Sequence, residues 1–438
     1  ANAALVRSGG GRLAARLDGG AGVSLLAARG CAVRLSWTSA SDAAGLGTPP
    51  VTLPDVPALP ARVVQVAAGE AHALFLALDP APGVFAIGAN DYGQLGLGDS
   101  LPRRDPQRAF EVPELQGAAL VGGVACGGHV SMALSQRGEV WSWGRNEESG
   151  VLGNGAALVA CVPSPTPLAQ LRRKVRVVQV ATSGWTALCV SHLGAVLSWG
   201  GGACGVHGHG HQADEVAAKA IRGLSDVTVI QAAMGPLHAV VLGSRGEVFT
   251  WGRISGAFGS EVQLQLTPKY VDALQSVRVV QVVAGGEHSL ALSDQGEVYA
   301  WGAHASGALG GVPVLPDPAQ KSALVHKVDL RIGRVREIGA GRCHSLFLAA
   351  SAAESDQALS QQSQSSTLYI CGQGVAPADH PVAAMNQAKR AAFNQPGLET
   401  KGGMKGALGV VPVTPPLGVP LKLTRVDVKR ILEMMAAG

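Results

Sequence analysis

Arg278 to Gly302 reads RVVQVVAGGEHSLALSDQGEVYAWG, and this stretch decides the fold because the chain repeats it. Arg62 onward reads RVVQVAAGEAHALFLALDPAPGVFAIG, Arg176 onward RVVQVATSGWTALCVSHLGAVLSWG, and Thr228 onward TVIQAAMGPLHAVVLGSRGEVFTWG. Further copies begin near Leu120, ending EVWSWG, near Arg334, and, most degraded, near Arg12, ending CAVRLSW. The glycine that closes the first run falls at Gly19, Gly69, Gly127, Gly235, Gly285 and Gly341, with Ser183 in its place once. The seven units are spaced 50 to 58 residues apart. That period is too long for ankyrin or tetratricopeptide units and suits a propeller blade.

Each unit carries strand chemistry. Val-Val-Gln-Val is a short β-branched run. After a Gly turn comes a second run with apolar residues at alternate positions, such as Leu290 and Leu292, and Asp-Gln-Gly then turns into Glu-Val-Tyr-Ala-Trp. These predict three successive antiparallel strands. The stretch after Trp-Gly, clearest as Asn90 to Gly98, NDYGQLGLG, predicts a glycine-dense turn, a proline-containing link and a fourth, outer strand. One blade cannot cover its own apolar faces, so seven must pack around an axis and share their cores.

Composition agrees. Gly and Pro supply 59 and 25 of 438 residues, well above the usual share of about 12%, while 47% of residues are hydrophobic, which excludes disorder as the main state. Charged residues make up 15%, too few for a long coiled coil and predicting a surface poor in ions. The net charge of +4 does not suggest an electrostatic nucleic-acid binder. Seven scattered cysteines without C-x-x-C spacing read as buried thiols in a reducing compartment. Leu115 to Gln136 lacks charge but is broken by glycines and absorbed by the repeat, so no membrane span is expected. Ala1 to Leu17 holds Arg7, Arg12 and Arg16, and its only acidic neighbour is Asp18, a bias that favours a mitochondrial over a cytosolic setting within an intracellular reading.

The recurring Gly-x-x-His, Trp-Gly and Gly-Gln-Leu-Gly-x-Gly, in fixed order, resemble the repeat family named for the regulator of chromosome condensation, the RCC1 type. The resemblance implies an all-β seven-bladed β-propeller of about 50-residue repeats, with insertions in the last blade. It divides the chain into a tail, residues 1–11, and a single propeller, residues 12–438, interrupted at 351–366 and 375–405. The His position is filled by His72, His238, His288 and His344, but by Gly22, Val130 and Thr186 elsewhere. The Trp position holds Trp37, Trp143, Trp199, Trp251 and Trp301, but Ile87 and Cys371 in two copies. Because both types recur at equivalent points on different blades, their expected role is structural. A histidine ring nitrogen would bond backbone at the Gly turn, and the indoles would pack between blades.

Other motifs suggest chemistry less strongly. Cys204, His207, His209 and His211 resemble a soft-metal set, yet they occupy the slot of the Gly-Gln-Leu-Gly turn, where alternating residues point different ways; no metal is expected. No glycine run meets a Lys-Ser or Lys-Thr pair at a helix start, so no nucleotide cradle and no cofactor are expected. No catalytic triad or carboxylate pair stands out, so the chain reads as a non-enzyme. A photoreceptor branch of the resembled family uses repeated Gly-Trp-Arg-His-Thr motifs; only Gly184-Trp185-Thr186 echoes them here. Arg172, Arg173, Lys174 and Arg176 are a candidate RNA contact, set against solvated loop charge. In the second insertion, Pro381 to Gln395 predicts a short amphipathic helix with Val382, Met385 and Phe393 apolar and Lys389 and Arg390 polar, either a docking arm or a cover for the ring edge. At the end of the chain, Ile431 to Gly438 aligns with a first strand that would close the ring, while Val426 to Ala437 equally suits a helix.

Two functions fit. The first is a non-catalytic interaction scaffold, a subunit of a larger assembly such as a mitochondrial ribosome-associated one. The second, implied by the resemblance, is a guanine-nucleotide exchange factor for a small GTPase, which acts by differential binding and needs no bond chemistry.

Overall fold

The computed structural model describes residues 62–79, 83–103, 109–116, 121–146, 149–154, 160–172, 174–257, 262–303, 307–310, 322–329, 334–342, 344–350 and 366–372, with short strands at 6–7, 13–14, 24–26, 34–36 and 421–422. Each of six repeats forms one four-stranded antiparallel sheet in sequence order. Counting repeats from the one near Arg12, the second blade is Arg62–Ala68, His72–Asp79, Gly83–Gly88 and Phe110–Glu111. The third is Val121–Gly127, Val130–Ser135, Val140–Arg145 and Cys161–Pro167. The fourth is Val177–Thr182, Thr186–Ser191, Val196–Gly200 and Glu215–Ala220, and the fifth Val229–Met234, His238–Gly243, Val248–Ser255 and Val262–Tyr270. The sixth is Val279–Ala284, His288–Ser293, Val298–Ala303 and Ser322–Lys327. The seventh is Val335–Ala340, His344–Ala350, Ser366–Gly372 and Leu421–Lys422. The first repeat contributes the paired strands Ser24–Leu26 and Arg34–Ser36. The fold is an all-β propeller of RCC1-like repeats.

The first strands of successive sheets lie against one another and form the inner wall, to which Val178, Ile230 and Val280 present exposed side chains. Each core lies between two blades. Leu188, Val190 and Val196 of the fourth blade, for example, pack with Ala232, Met234 and Trp251 of the fifth. The second strands are buried along their whole length in the third to sixth blades, because the sheets cover them on both faces. A short 3-10 turn at Pro113–Leu115, Arg222–Leu224 or Asp272–Leu274 drops a leucine into the core before the next blade begins.

One irregularity recurs. The register between first and second strands shifts at Val63/Gln65, Val177/Gln179, Val229/Gln231, Val279/Gln281 and Val335/Glu337. A bulge re-aims the residue that follows it. Here it turns the glutamine of Val-Val-Gln toward the neighbouring blade.

Some expectations meet corrections or fall outside the described residues. Cys126, Cys189 and Cys371 are buried thiols, but Cys161 and Cys204 are partly exposed because they sit at the edge of an outer strand and in a loop. The strand Ser366–Gly372 takes the last residue assigned to the first insertion. Val382, Met385, Lys389, Arg390, Phe393 and the segment 426–438 lie outside the described residues. Among the described residues no helix is long and apolar enough to cross a membrane.

Inter-blade clasps and a candidate docking face

The glutamines exposed by the bulge clasp the next blade. Gln231 Nε2 donates to Val282 O at 3.1 Å while Val282 N donates back to Gln231 Oε1 at 3.0 Å. Gln65 does the same with Val124, Gln179 with Ala232, and Gln281 with Ile338. Each amide thus satisfies a backbone donor and acceptor that would otherwise be stranded between sheets.

The repeat histidines form a second clasp, with a partner that differs from the expected one. The Nε2 of His72 lies 2.8 Å from Ser131 Oγ, that of His238 2.9 Å from Ser289 Oγ, and that of His288 2.9 Å from Ser345 Oγ. In every case the serine belongs to the following blade, not to the histidine's own Gly turn. The ring does lie over that glycine: a Cβ on Gly285 would sit 2.3 Å from His288 Cε1, so the motif needs glycine three residues before histidine. Ser131 and Ser345 donate their single proton to the carbonyls of Gln94 and Ala308, at 2.7 and 2.6 Å. The histidine must therefore donate from Nε2, which assigns the neutral tautomer. Burial holds the His72 and His288 rings down to about 3 and His238 to about 4.

The pairing follows a rule across junctions. Where the histidine is replaced by Val130 or Thr186, the serine position in the next blade is Ala187 or Ala239. Thr186 turns back on its own blade, its Oγ1 donating to Gly201 O at 2.6 Å, and Ser183 fits where a ring would not leave room. The third-to-fourth junction lacks both clasps, since Gly123 also stands at the glutamine position.

The tryptophans bond in the opposite direction. Trp143, Trp199 and Trp251 are fully buried, and their Nε1 groups donate to Gln94 O, Val151 O and Val206 O in the glycine-dense turn of the preceding blade, at 3.0, 2.8 and 2.7 Å. Trp301 occupies the same buried slot. At Cys371 the thiol replaces the indole and lies 3.4 Å from Ala308 O.

The metal-like set is occupied by the same architecture. His207 stands at the leucine position of the turn and is buried; its Nε2 is 2.8 Å from Ala213 O and its Nδ1 accepts from His209 N at 3.3 Å. His209 Nε2 lies 3.0 Å from Ser198 Oγ and His211 Nε2 3.2 Å from Glu215 Oε1. Burial lowers His207, and burial with the neighbouring His207 takes His209 down to about 4. Among the described residues no group of three His, Cys, Asp or Glu is placed to hold a metal ion.

With these polar groups committed to the frame, a different cluster stands out on the rim formed by the turns between first and second strands. Trp185, 53% exposed, tips the turn after Thr182, fixed by Thr182 Oγ1 accepting from Gly184 N. Arg145, the last residue of its strand, places its guanidinium 4.6 Å from the Tyr92 ring centroid and 5.9 Å from that of Trp185. Tyr92 in turn lies 4.8 Å from the His129 ring, whose Nε2 is 3.8 Å from Glu70 Oε2. Three blades thus contribute to one patch of Trp, Tyr and Arg, the residue types that dominate protein-binding hot spots. The sequence reading missed it, although Trp185 does stand out in the sequence as a Trp outside the Trp-Gly position. On the opposite rim, the candidate RNA cluster is partly engaged: Arg172 Nε lies 3.2 Å from Glu139 Oε1, Lys174 and Arg176 are exposed, and Arg173 is outside the described residues.

Comparison with known proteins agrees with the fold. Models described as "Regulator of chromosome condensation (RCC1) repeat" match residues 83–134, 137–190, 245–292 and 279–308. The "RCC1-like G exchanging factor-like protein" of Homo sapiens is 34% identical over 208 residues, 46% of this chain and 43% of that one. The "RCC1 domain-containing protein RUG3, mitochondrial" of Arabidopsis thaliana is 34% identical over 164 residues, 36% of this chain and 35% of that one. The chain spans less than half the length of these relatives. The crystal structure of human WBSCR16 superposes with a TM-score of 0.63 at 26% identity, covering 76% of this chain and 86% of that one.

Proposed function

The chain belongs to the RCC1-type repeat family, and from that premise we propose that it is a non-catalytic protein-interaction scaffold, a subunit of a larger mitochondrial assembly. The observation that carries the reading is the Tyr92–Arg145–Trp185 patch, an exposed Trp beside a half-buried Tyr and Arg, contributed by three successive blades. The Gln65 and His72 clasps hold the second blade on the third, and the Trp199 indole bonded to Val151 O holds the fourth, which fixes the patch before any partner arrives and lowers the ordering cost of binding. The histidines that might have suggested catalysis are neutral and engaged between blades. The mitochondrial setting rests on the name of the RUG3 relative. A ribosome-associated assembly would additionally use the exposed Lys174 and Arg176 on the other rim.

Affinity purification of the full chain and of the W185A/R145A variant, followed by mass spectrometry, tests the reading. A stable multi-subunit particle retained by the parent and lost by the variant supports it; equal retention by both refutes the patch. The name of the human G exchanging factor-like relative favours a second reading, exchange on a small GTPase. Faster nucleotide release from a co-purified GTPase would establish exchange and displace the scaffold-only reading.

A further inference from the structure

Four junctions hold a carboxamide in one kind of backbone cradle, and the third-to-fourth junction has the cradle with glycine at the glutamine position. Gln65, Gln179, Gln231 and Gln281 each give and take a hydrogen bond with a single residue of the next blade, Val124, Ala232, Val282 or Ile338. The gripped residue lies three before the strand-closing Gly or Ser, which makes Val180 its equivalent in the fourth blade.

Strand pairing gives Val180 the same orientation. Bonded and non-bonded pairs alternate along an antiparallel ladder. Counted from the closing bond of Ser183 N–H to Thr186 O, Val180 and Cys189 form a non-bonded pair, as Val282 and Ala291 do counted from Gly285 N–H to His288 O. The N–H and C=O of Val180 therefore face the third blade. Val180 is 8% exposed, and no described residue bonds either group. Backbone groups so far from bulk water need a partner.

The facing wall leaves room for one. A Cβ on Gly123 would meet only Gln65 Oε1 at 3.5 Å and Leu134 Cβ at 3.9 Å, with no atom of the fourth blade within 4 Å. Gly122 beside it is exposed on the inner wall, as is Val178 across the junction, so the cradle is reached from that wall. Chemistry selects what fits. A carboxylate accepts from Val180 N–H but cannot donate to its carbonyl, an ammonium does the reverse, and a trans peptide carries its N–H and C=O on opposite edges. A primary carboxamide carries both on one edge, as the four filled cradles use it. The wall around the entrance is apolar, with Val178 here and Ile230 and Val280 on the following blades, which suits an uncharged ligand.

We propose that the Gly123–Val180 cradle binds a primary carboxamide from outside the chain, the side chain of a glutamine on a partner segment that lies against the inner wall. The site does not depend on the Tyr92–Arg145–Trp185 patch.

Amide-resolved NMR of the full chain at about pH 7 tests it, with N-acetylglutamine N′-methylamide as the probe and the glutamate counterpart, ionised at that pH, as the comparison. Dissociation is expected at about 10–100 mM, the strength of two hydrogen bonds from a ligand of this size. The Val180 amide should shift with the glutamine probe and not with the glutamate one, while Val124, Ala232, Val282 and Ile338, whose cradles are filled, stay in place. No shift at Val180, or the same shift with both probes, overturns the proposal. In the parent, the Val180 amide should also exchange its hydrogen about tenfold faster than those four. G123Q, which brings its own amide, should slow that exchange and abolish the shift caused by the probe. Equal protection at Val180 in the parent, or a folded G123Q that still binds the probe, overturns the proposal as well. Should G123Q fail to fold, the comparison of the two probes on the parent decides alone.

Discussion

Exchanging one His–Ser clasp for the apolar pair that the chain itself uses elsewhere should change acid stability in a defined way. His72, His238 and His288 are held at about 3 to 4 in the folded chain, chiefly by burial, against 6.5 in its absence. The unfolded chain therefore takes up protons that the folded chain refuses. The stability contributed is fully present above pH 6.5 and is lost as the pH falls toward the folded values. Each histidine costs about 2 kcal/mol by about pH 5, at about 1.4 kcal/mol per further pH unit, so three together cost about 6 kcal/mol. That is comparable to the whole stability of many domains, roughly 5–15 kcal/mol. H238V/S289A recreates the Val130–Ala187 junction. Removing both partners is nearly neutral at about pH 7.5, whereas H238V alone strands the Ser289 hydroxyl and costs about 1–3 kcal/mol. Urea unfolding, followed by the fluorescence of the buried tryptophans between about pH 7.5 and 5, should show the double variant losing about 2 kcal/mol less stability than the parent, the share of one histidine. An unchanged slope, or a double variant no more stable than H238V alone, refutes the argument that these rings are neutral clasps.

Other perturbations probe other links. G285A should lower stability by about 1–3 kcal/mol, read by chemical denaturation, because its Cβ meets the His288 ring and the Gly341 carbonyl. Q231L should cost about 2–4 kcal/mol and speed amide exchange at Val282, whose N–H and C=O both lose their partner. Zinc titration should leave the thermal midpoint of the chain within about 1 °C of its metal-free value, since each histidine of the 207, 209 and 211 set already spends a ring nitrogen within the fold. A rise of several degrees that H209A abolishes would show that the turn rearranges to bind metal.

The blade count and strand order were legible because the glycine, histidine and tryptophan positions recur with a period that only a propeller fits. The histidine partner was not, since Ser131 lies 59 residues from His72, and no spacing within one repeat announces a bond made to the next. The glutamine of Val-Val-Gln-Val was visible as the lone polar residue in an apolar run. That signal was available and went unused, because its meaning depends on a bulge that appears only with the register. The Tyr92–Arg145–Trp185 patch was illegible for a simpler reason: its members come from three repeats and from non-equivalent positions within them.

The directionality of the clasps has a consequence for how this chain can be cut or copied. Where a blade carries these residues it gives its glutamine and histidine forward and its indole backward, so the unit that is bonded straddles two repeats and never coincides with the unit that is repeated. A fragment ending between blades carries bare amide and imidazole groups and an unfilled turn carbonyl on its forward flank and an unbonded indole on the other. Duplication of a single repeat would likewise create a mismatched seam unless the copy stood beside a neighbour of the same kind. The third-to-fourth junction, plain on both counts, is the place where a break or an extra unit would be felt least.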